Sequence, residues 1–323
     1  MNSIQTIVVA LITSISLPVF ATQKVDKQLP ATANNNIEIE NVRGVINIHG
    51  WDKAQVSVVG TLDPQTEKFI FEQQGNSIVI KIKTPSNIDR GNYFEKQLMH
   101  DEPGSNLTIN VPAKAKLSFN GISTNIIVNN LQQRTDINTV SGTIKATNLG
   151  NTVNLNSVSG DITSTQLTGK INLSTVSGDI EDQQSTGRLS LQSVSGSVNS
   201  NSTATEVRAH SVSGVIKLNL AKLDSLELDT VSDNASANFT LNEHGSIKAS
   251  SVSGDISLNF TKDVQASFRL TSNVGGRIIN QLTKDKAIEA KYGPGSKLQF
   301  DTGNANGTVN VATVSGNIEV KHN

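Results

Sequence analysis

The chain has 323 residues, 27 basic and 28 acidic side chains, and a formal net charge of −1. That balance offers no counter-charge to nucleic acid or to an anionic membrane, and the lack of cysteine rules out disulfides, thiolate metal centres and cysteine nucleophiles. Only 4% of residues are aromatic and 17% charged; Ser, Thr, Asn and Gly fill the gap, with Val, Ile and Leu at regular positions, as in a β protein with a narrow core of small branched side chains.

Residues 7–17 (IVVALITSISL) form an apolar run of signal-peptide length, broken by Pro18 and followed by Val19-Phe20-Ala21, whose small residues suit cleavage before Thr22. Residues 1–21 are therefore expected to be a signal peptide, and the mature chain extracytoplasmic. No later segment is apolar enough to span a membrane. Residues 22–36 read as a polar leader. Residues 37–116 carry longer strands and long turns, suited to capping one end of a stack. Residues 117–256 carry a regular repeat, and residues 257–323 a looser version of it, with GPGS at 293–296 as a turn.

The repeat is written around one phrase. SVSGDI stands at 157–162, TVSGDI at 175–180 and SVSGDI again at 251–256. Aligned on its first apolar residue, the series runs Ile122, Val140, Val158, Val176, Val194 and Val212 in steps of 18 residues, then less evenly through Val231, Val252 and Val314. Four residues on stand Ile144, Ile162, Ile180, Val198 and Ile216, and between them Gly142, Gly160, Gly178, Gly196 and Gly214. A second apolar pair precedes each phrase, such as Val153/Leu155, Ile171/Leu173 and Leu189/Leu191. Each unit thus holds two short strands, roughly L-x-L and V-S-G-x-I, with period-2 alternation that turns one side to a core. So constant a period predicts a parallel β-solenoid whose coils stack about 4.8 Å apart, like residue over like. The glycine is expected to let the wall approach the opposite face. An antiparallel up-and-down array is the rival arrangement.

These residues carry a resemblance. The repeated VSGxI phrase, the stretch IEIENVRGVI at 37–46, HGWDKAQVSVVGTL at 49–62, SIVIKIK at 77–83 and NLTINVPAKAKLSF at 106–119 together resemble the bacterial Toastrack domain family, over roughly residues 37–320. The resemblance implies a right-handed, single-stranded β-helix-like fold outside the cytoplasm and an adhesin-like role, with no catalytic residues to carry over. The stretch TSNVGGRI at 271–278 departs from the pattern, with Asn273 in the valine slot, and predicts a distorted coil.

Candidate sites are few. Asp161 and Asp179 occupy one outward slot in neighbouring coils, where stacked carboxylates can share a cation or act as an acid/base pair; a solvated face is the plainer reading. The irregular segment at 84–105 gathers Tyr93, Phe94, His100 and Asp101 in an aromatic-poor chain and reads as a binding loop. Trp51 and Asp52 read as strand packing and a turn rather than a sugar platform. Ladders of serine and threonine around the valine read as hydroxyls that satisfy one another at a bend. No two histidines are spaced as metal ligands, so no metal or cofactor is expected. The expected function is non-enzymatic contact at a cell surface or in the envelope, with a protein or glycan partner. The alternatives are a periplasmic sensing or envelope-maintenance module and a carbohydrate-active enzyme on a solenoid side.

Overall fold

A repeat of alternating apolar residues buries one side of each strand only when successive repeats lie side by side and pair their backbones. The computed structural model, which describes residues 23–85 and 104–322, shows that arrangement. All regular elements among the described residues are β-strands. On one face, Thr135–Thr139, Thr152–Ser157, Thr168–Thr175, Thr186–Ser193 and Glu206–Ser211 pair in parallel. On the other, Ile144–Leu149, Ile162–Thr165, Ile180–Gln183 and Val198–Ser202 do the same. The register offset is 18 residues, with Leu155 beside Leu173 and Ile162 beside Ile180. The parallel pairing excludes the antiparallel array for this stack.

The core is the narrow space between the two faces. Ile144, Ile162, Ile180, Val198 and Ile216 are fully buried from one side, and Val153, Ile171, Leu189 and Leu155, Leu173, Leu191 from the other. At about 0.8 kcal/mol per buried methylene, such columns supply the main favourable term in folding.

The repeated phrase is a corner rather than a strand. Its Ser/Thr at the first position is buried, as at Ser157, Thr175 and Ser193. The Gly160 N–H donates to Ser157 Oγ at 2.8 Å, Gly178 N–H to Thr175 Oγ1 at 3.0 Å and Gly196 N–H to Ser193 Oγ at 2.8 Å. The same hydroxyls donate to the glycine carbonyl of the preceding coil, Ser157 to Gly142 at 3.3 Å and Thr175 to Gly160 at 3.2 Å. The ladder hydroxyls therefore satisfy the backbone rather than one another. At Ser211 and Ser251 the buried hydroxyl has no partner. The valine and serine that follow turn outward, and the first Ser/Thr, the Gly and the Ile of the phrase face in. The glycine is required by the neighbouring coil and not by the opposite face: a Cβ on Gly178 would overlap the backbone carbonyl of Gly160, and one on Gly160 that of Gly142.

Both ends depart from simple stacking. The first full coil, Asn36–Trp51, lies directly on Lys116–Leu131. Ser77–Lys83 and Ser105–Pro112 cover its outer side, followed by the antiparallel strands Lys68–Gln74, Gln55–Thr61 and Lys24–Pro30. Residues 22–36, read above as a leader, thus contribute an edge strand, and Asn36–Trp51 is stack rather than cap. Arg43 joins coil to cap, its guanidinium paired with the buried Asp63 carboxylate at 2.5 and 3.0 Å.

At the far end the chain order is broken. Gly307–Thr313 pairs with Ala235–Ser251 on one side and with Ala266–Ser272 on the other. Ile318–His322 likewise lies between Ile256–Phe260 and Ile278–Asn280. The last coil in sequence is inserted beneath the one that precedes it. Phe239, Phe260, Phe268 and Phe300 fill the wider core there, with successive ring centroids 5.0, 5.7 and 4.5 Å apart. The expected irregularity at 271–278 is present: Asn273 N–H bonds to Thr313 O, as a ladder valine does in its coil, and Val274 takes the next place.

Two outcomes follow. Gly178→Ala is expected to cost about 3 kcal/mol or more, because the overlap is with backbone, whereas exposed Ser177→Ala stays within about 0.5 kcal/mol; denaturant midpoints followed by circular dichroism compare the two. Deleting residues 307–322 strips partners from strands on both sides, so limited proteolysis is expected to open residues 246–300 while residues 135–211 stay protected.

Candidate functional site

The outward slot that holds Asp161 and Asp179 is a backbone-bonding column. The Asp179 N–H donates to Asp161 Oδ1 at 2.9 Å, and the Ser197 N–H to Asp179 Oδ1 at 2.7 Å. The same contact recurs from Thr143 N–H to Asn125 Oδ1 at 3.0 Å and from Asn317 N–H to Asp255 Oδ1 at 2.8 Å. A short side chain with an acceptor oxygen serves in each case, whether Asp or Asn. The structure thus brings Asp161 and Asp179 together, with one oxygen of each engaged in stapling the next coil. Tyr93, Phe94, His100 and Asp101 lie outside the described residues.

The opposite corner is lined by amides. The chain turns there through left-handed conformations at Asn130, Asn148, Gln166 and Gln184, with φ between 53° and 60°, where Asn is the best tolerated residue after Gly. Asn148 Nδ2 donates to Asn130 Oδ1 at 2.7 Å, and Asn151 Nδ2 to Gln133 Oε1 at 3.1 Å. His49 contacts Asn129. An open groove of about 580 Å³ runs along this corner past Trp51, Asn130, Asn148 and Asn151. The indole is engaged within its own turn: its N–H donates to Gln55 O at 2.8 Å, and Lys53 Nζ sits 4.8 Å from the ring. A second recess, of about 800 Å³, lies at the inserted-coil end beside the exposed Ile288 and Tyr292.

Charged side chains on the flat faces pair across coils. Arg188 meets Glu206 at 2.6 Å and Arg208 meets Glu227 at 2.6 Å. The hydrogen bond from the Arg188 guanidinium holds the Glu206 carboxyl below its ordinary range. Among the described residues no group of three or more His, Asp or Glu is placed to hold a metal ion.

One carboxylate that the sequence reading missed is walled into the core. Asp182 is 1% exposed and accepts hydrogen bonds from Ser164 at 2.7 Å, Ser200 at 3.0 Å and Ser185. Ser164 and Ser200 are its counterparts in the two adjoining coils. Burial pushes its pKa up, against the three hydroxyls that pull it down. The signal was present in the sequence: alternation carried two residues past Ile180 places position 182 inside. A raised folded-state pKa means that the native state binds the extra proton, so this group's contribution is fully present below the unfolded-chain value of 3.8 and is lost as pH rises through the folded value. Asp182→Asn keeps the shape and lets the hydroxyls rotate to accept. It is expected to raise the thermal midpoint by roughly 1–3 °C at neutral pH and to leave it unchanged well below pH 3.8, as read by thermal melts across a pH series.

Among the described residues no helix is long and apolar enough to cross a membrane. The Toastrack DUF4097 family matches the chain over residues 34–321. No curated protein matches it. A solved structure described as "a putative cell adhesion protein from Clostridium sporogenes" aligns with 93% of this chain and 100% of its own at 12% identity, with a TM-score of 0.22. Since the family match begins just before the coil at Asn36 and ends within the inserted last strand, it takes in both the regular stack and its irregular ends, and the chain belongs to the Toastrack DUF4097 family.

Proposed function

We propose that this chain is an exported, non-enzymatic protein of adhesin-like type that works by presenting the long sides of its stack to a protein or glycan partner. The observation that carries this reading is the regular register of those sides. Coil after coil sets its outward side chains at the same points, and backbone pairing between coils holds the rows rigid. Rigid rows lose little conformational entropy on contact, which favours binding by an extended surface. The polar groups of the sides support the same reading, since Asp161, Asp179 and the corner hydroxyls are spent on holding coils together. We read the winding of each coil as right-handed, the sense that parallel crossovers take in nearly all sheets.

Protease treatment of intact cells making the protein tests the location. Cleavage while a periplasmic marker stays whole is the expected result. Protection until the envelope is opened would overturn surface display and leave an envelope-sensing role inside the cell boundary.

A further inference from the structure

The valine corner carries an apolar strip that the fold itself does not use. Ile122, Val140, Val158, Val176, Val194, Val252 and Val314 are between 42% and 52% exposed, and Val212 and Val231 are part-buried. Strand register and the corner backbone bonds place these nine in one column, with Val314 following Val252 because the last coil is inserted there. Eight steps of about 4.8 Å make the column roughly 38 Å long. Outward positions elsewhere vary among Asn, Ser, Thr, Asp, Lys and Gln, yet this exposed one stays aliphatic through nine coils. Stacking alone does not demand it, since amide columns stack on the same molecule.

We propose that two copies of this chain pair through the valine ladder, antiparallel, about a twofold axis near Val194. Seven half-exposed and two part-buried aliphatic side chains offer on the order of 500 Å² of apolar surface in one strip, the size at which patches on monomers tend to be functional. The serine and amide rows beside it add polar area toward the roughly 800 Å² per partner of a standard interface. The regular spacing favours a second copy as occupant, because a surface with the same repeat can set a side chain into every gap along the length. An axis at Val194 pairs the nine rungs from Ile122 to Val314, four to either side, and leaves Val42, which the register sets beside Ile122, beyond them.

The flanks fit the same operator. A twofold axis crossing the ladder brings each flanking row onto itself in reverse order. The row on the first face reads Asn138, Asn156, Ser174, Gln192, His210, Asp229, Ser250. Reversed about Gln192, Asp229 meets Asn156 and His210 meets Ser174, so no like charges face each other. The other flank is the exposed serine row Ser141, Ser159, Ser177, Ser195, Ser213, which is uncharged throughout. The chain's net charge of −1 sets little long-range repulsion between copies.

Sedimentation equilibrium of the purified chain is expected to show a reversible dimer. Replacing Val158, Val176 and Val194 together by Thr keeps the β-branched shape and is expected to weaken that dimer at least 10-fold with an unchanged circular dichroism spectrum. Because the chain has no cysteine, single Val→Cys variants map the contact independently: disulfide yield on oxidation should peak at Val194 and fall through Val176 to Val158, with Lys145→Cys on the far face as the background. A monomer at every concentration, a dimer that the folded triple variant leaves intact, or ladder yields no higher than at Lys145 would each overturn the proposal.

Discussion

The regular coils depend on one small contact, the buried hydroxyl at the corners of Ser157, Thr175 and Ser193. It accepts from the glycine N–H three residues on and donates to the glycine carbonyl one coil back, as Thr175 does between Gly178 and Gly160. A buried backbone amide or carbonyl without a partner costs about 1–3 kcal/mol, and the corner is where the chain leaves one strand ladder before joining the next. Ser or Thr satisfies both groups at once and is short enough to do so inside the wall. The glycine follows from the same contact, because the carbonyl that receives the hydroxyl occupies the space where a Cβ would stand. Serine or threonine, two outward residues and glycine at fixed offsets are thus consequences of one corner geometry.

A parallel stack built this way has two open ends, each a row of unpaired backbone groups that invites pairing with another chain. The N-terminal end is closed by antiparallel strands laid across the first coil. The C-terminal end is closed by inserting the last coil beneath the preceding one and finishing on the antiparallel pair Ala266–Ser272 and Ser296–Asp301. That insertion couples the end of the chain to residues some 60 positions earlier, as in the contact of Asn317 with Asp255, whereas the regular coils pair at short sequence distance. The middle of the molecule is therefore locally determined and its end is not, and contacts of long sequence separation form more slowly. The phenylalanines concentrate at this end, where two faces of different coil order leave more room to fill.

What the sequence makes legible follows the same division. The columns Ile144–Ile162–Ile180 and Val153–Ile171–Leu189 were readable because period and burial coincide. The outward turn of the valine was not, since in one dimension V-S-G-x-I looks like a strand with Val, Gly and Ile on one side; only the structure shows that the alternation breaks at the Val–Ser pair, both of which point outward. The insertion of residues 307–322 left no mark either, because TVSGNI there looks like any other copy of the phrase. Asp182 was missed although the alternation places it inside, because a charged residue in an inward slot contradicts the expectation that built the pattern. Asp161 and Asp179 drew attention as paired carboxylates, yet Asn125 and Asn234 fill the same slot with the same bond, so the slot asks for an acceptor oxygen and not for charge.

With the ends closed and the backbone consumed in stacking, the described residues offer a partner their side-chain rows. The two corners differ in kind. The valine corner offers apolar area without directional bonding, which suits a partner of matching shape and period. The amide corner offers donors and acceptors at each rung, already linked to one another at Asn130–Asn148 and Gln133–Asn151, so that a ligand there competes with bonds the protein already makes. Repetition fails at particular positions, such as Asn273 in a valine slot, Asp233 where glycine is expected and the recess beside Tyr292. Two of these three lie in the coils around the insertion, which makes the C-terminal third of the stack the part with the most information on its surface.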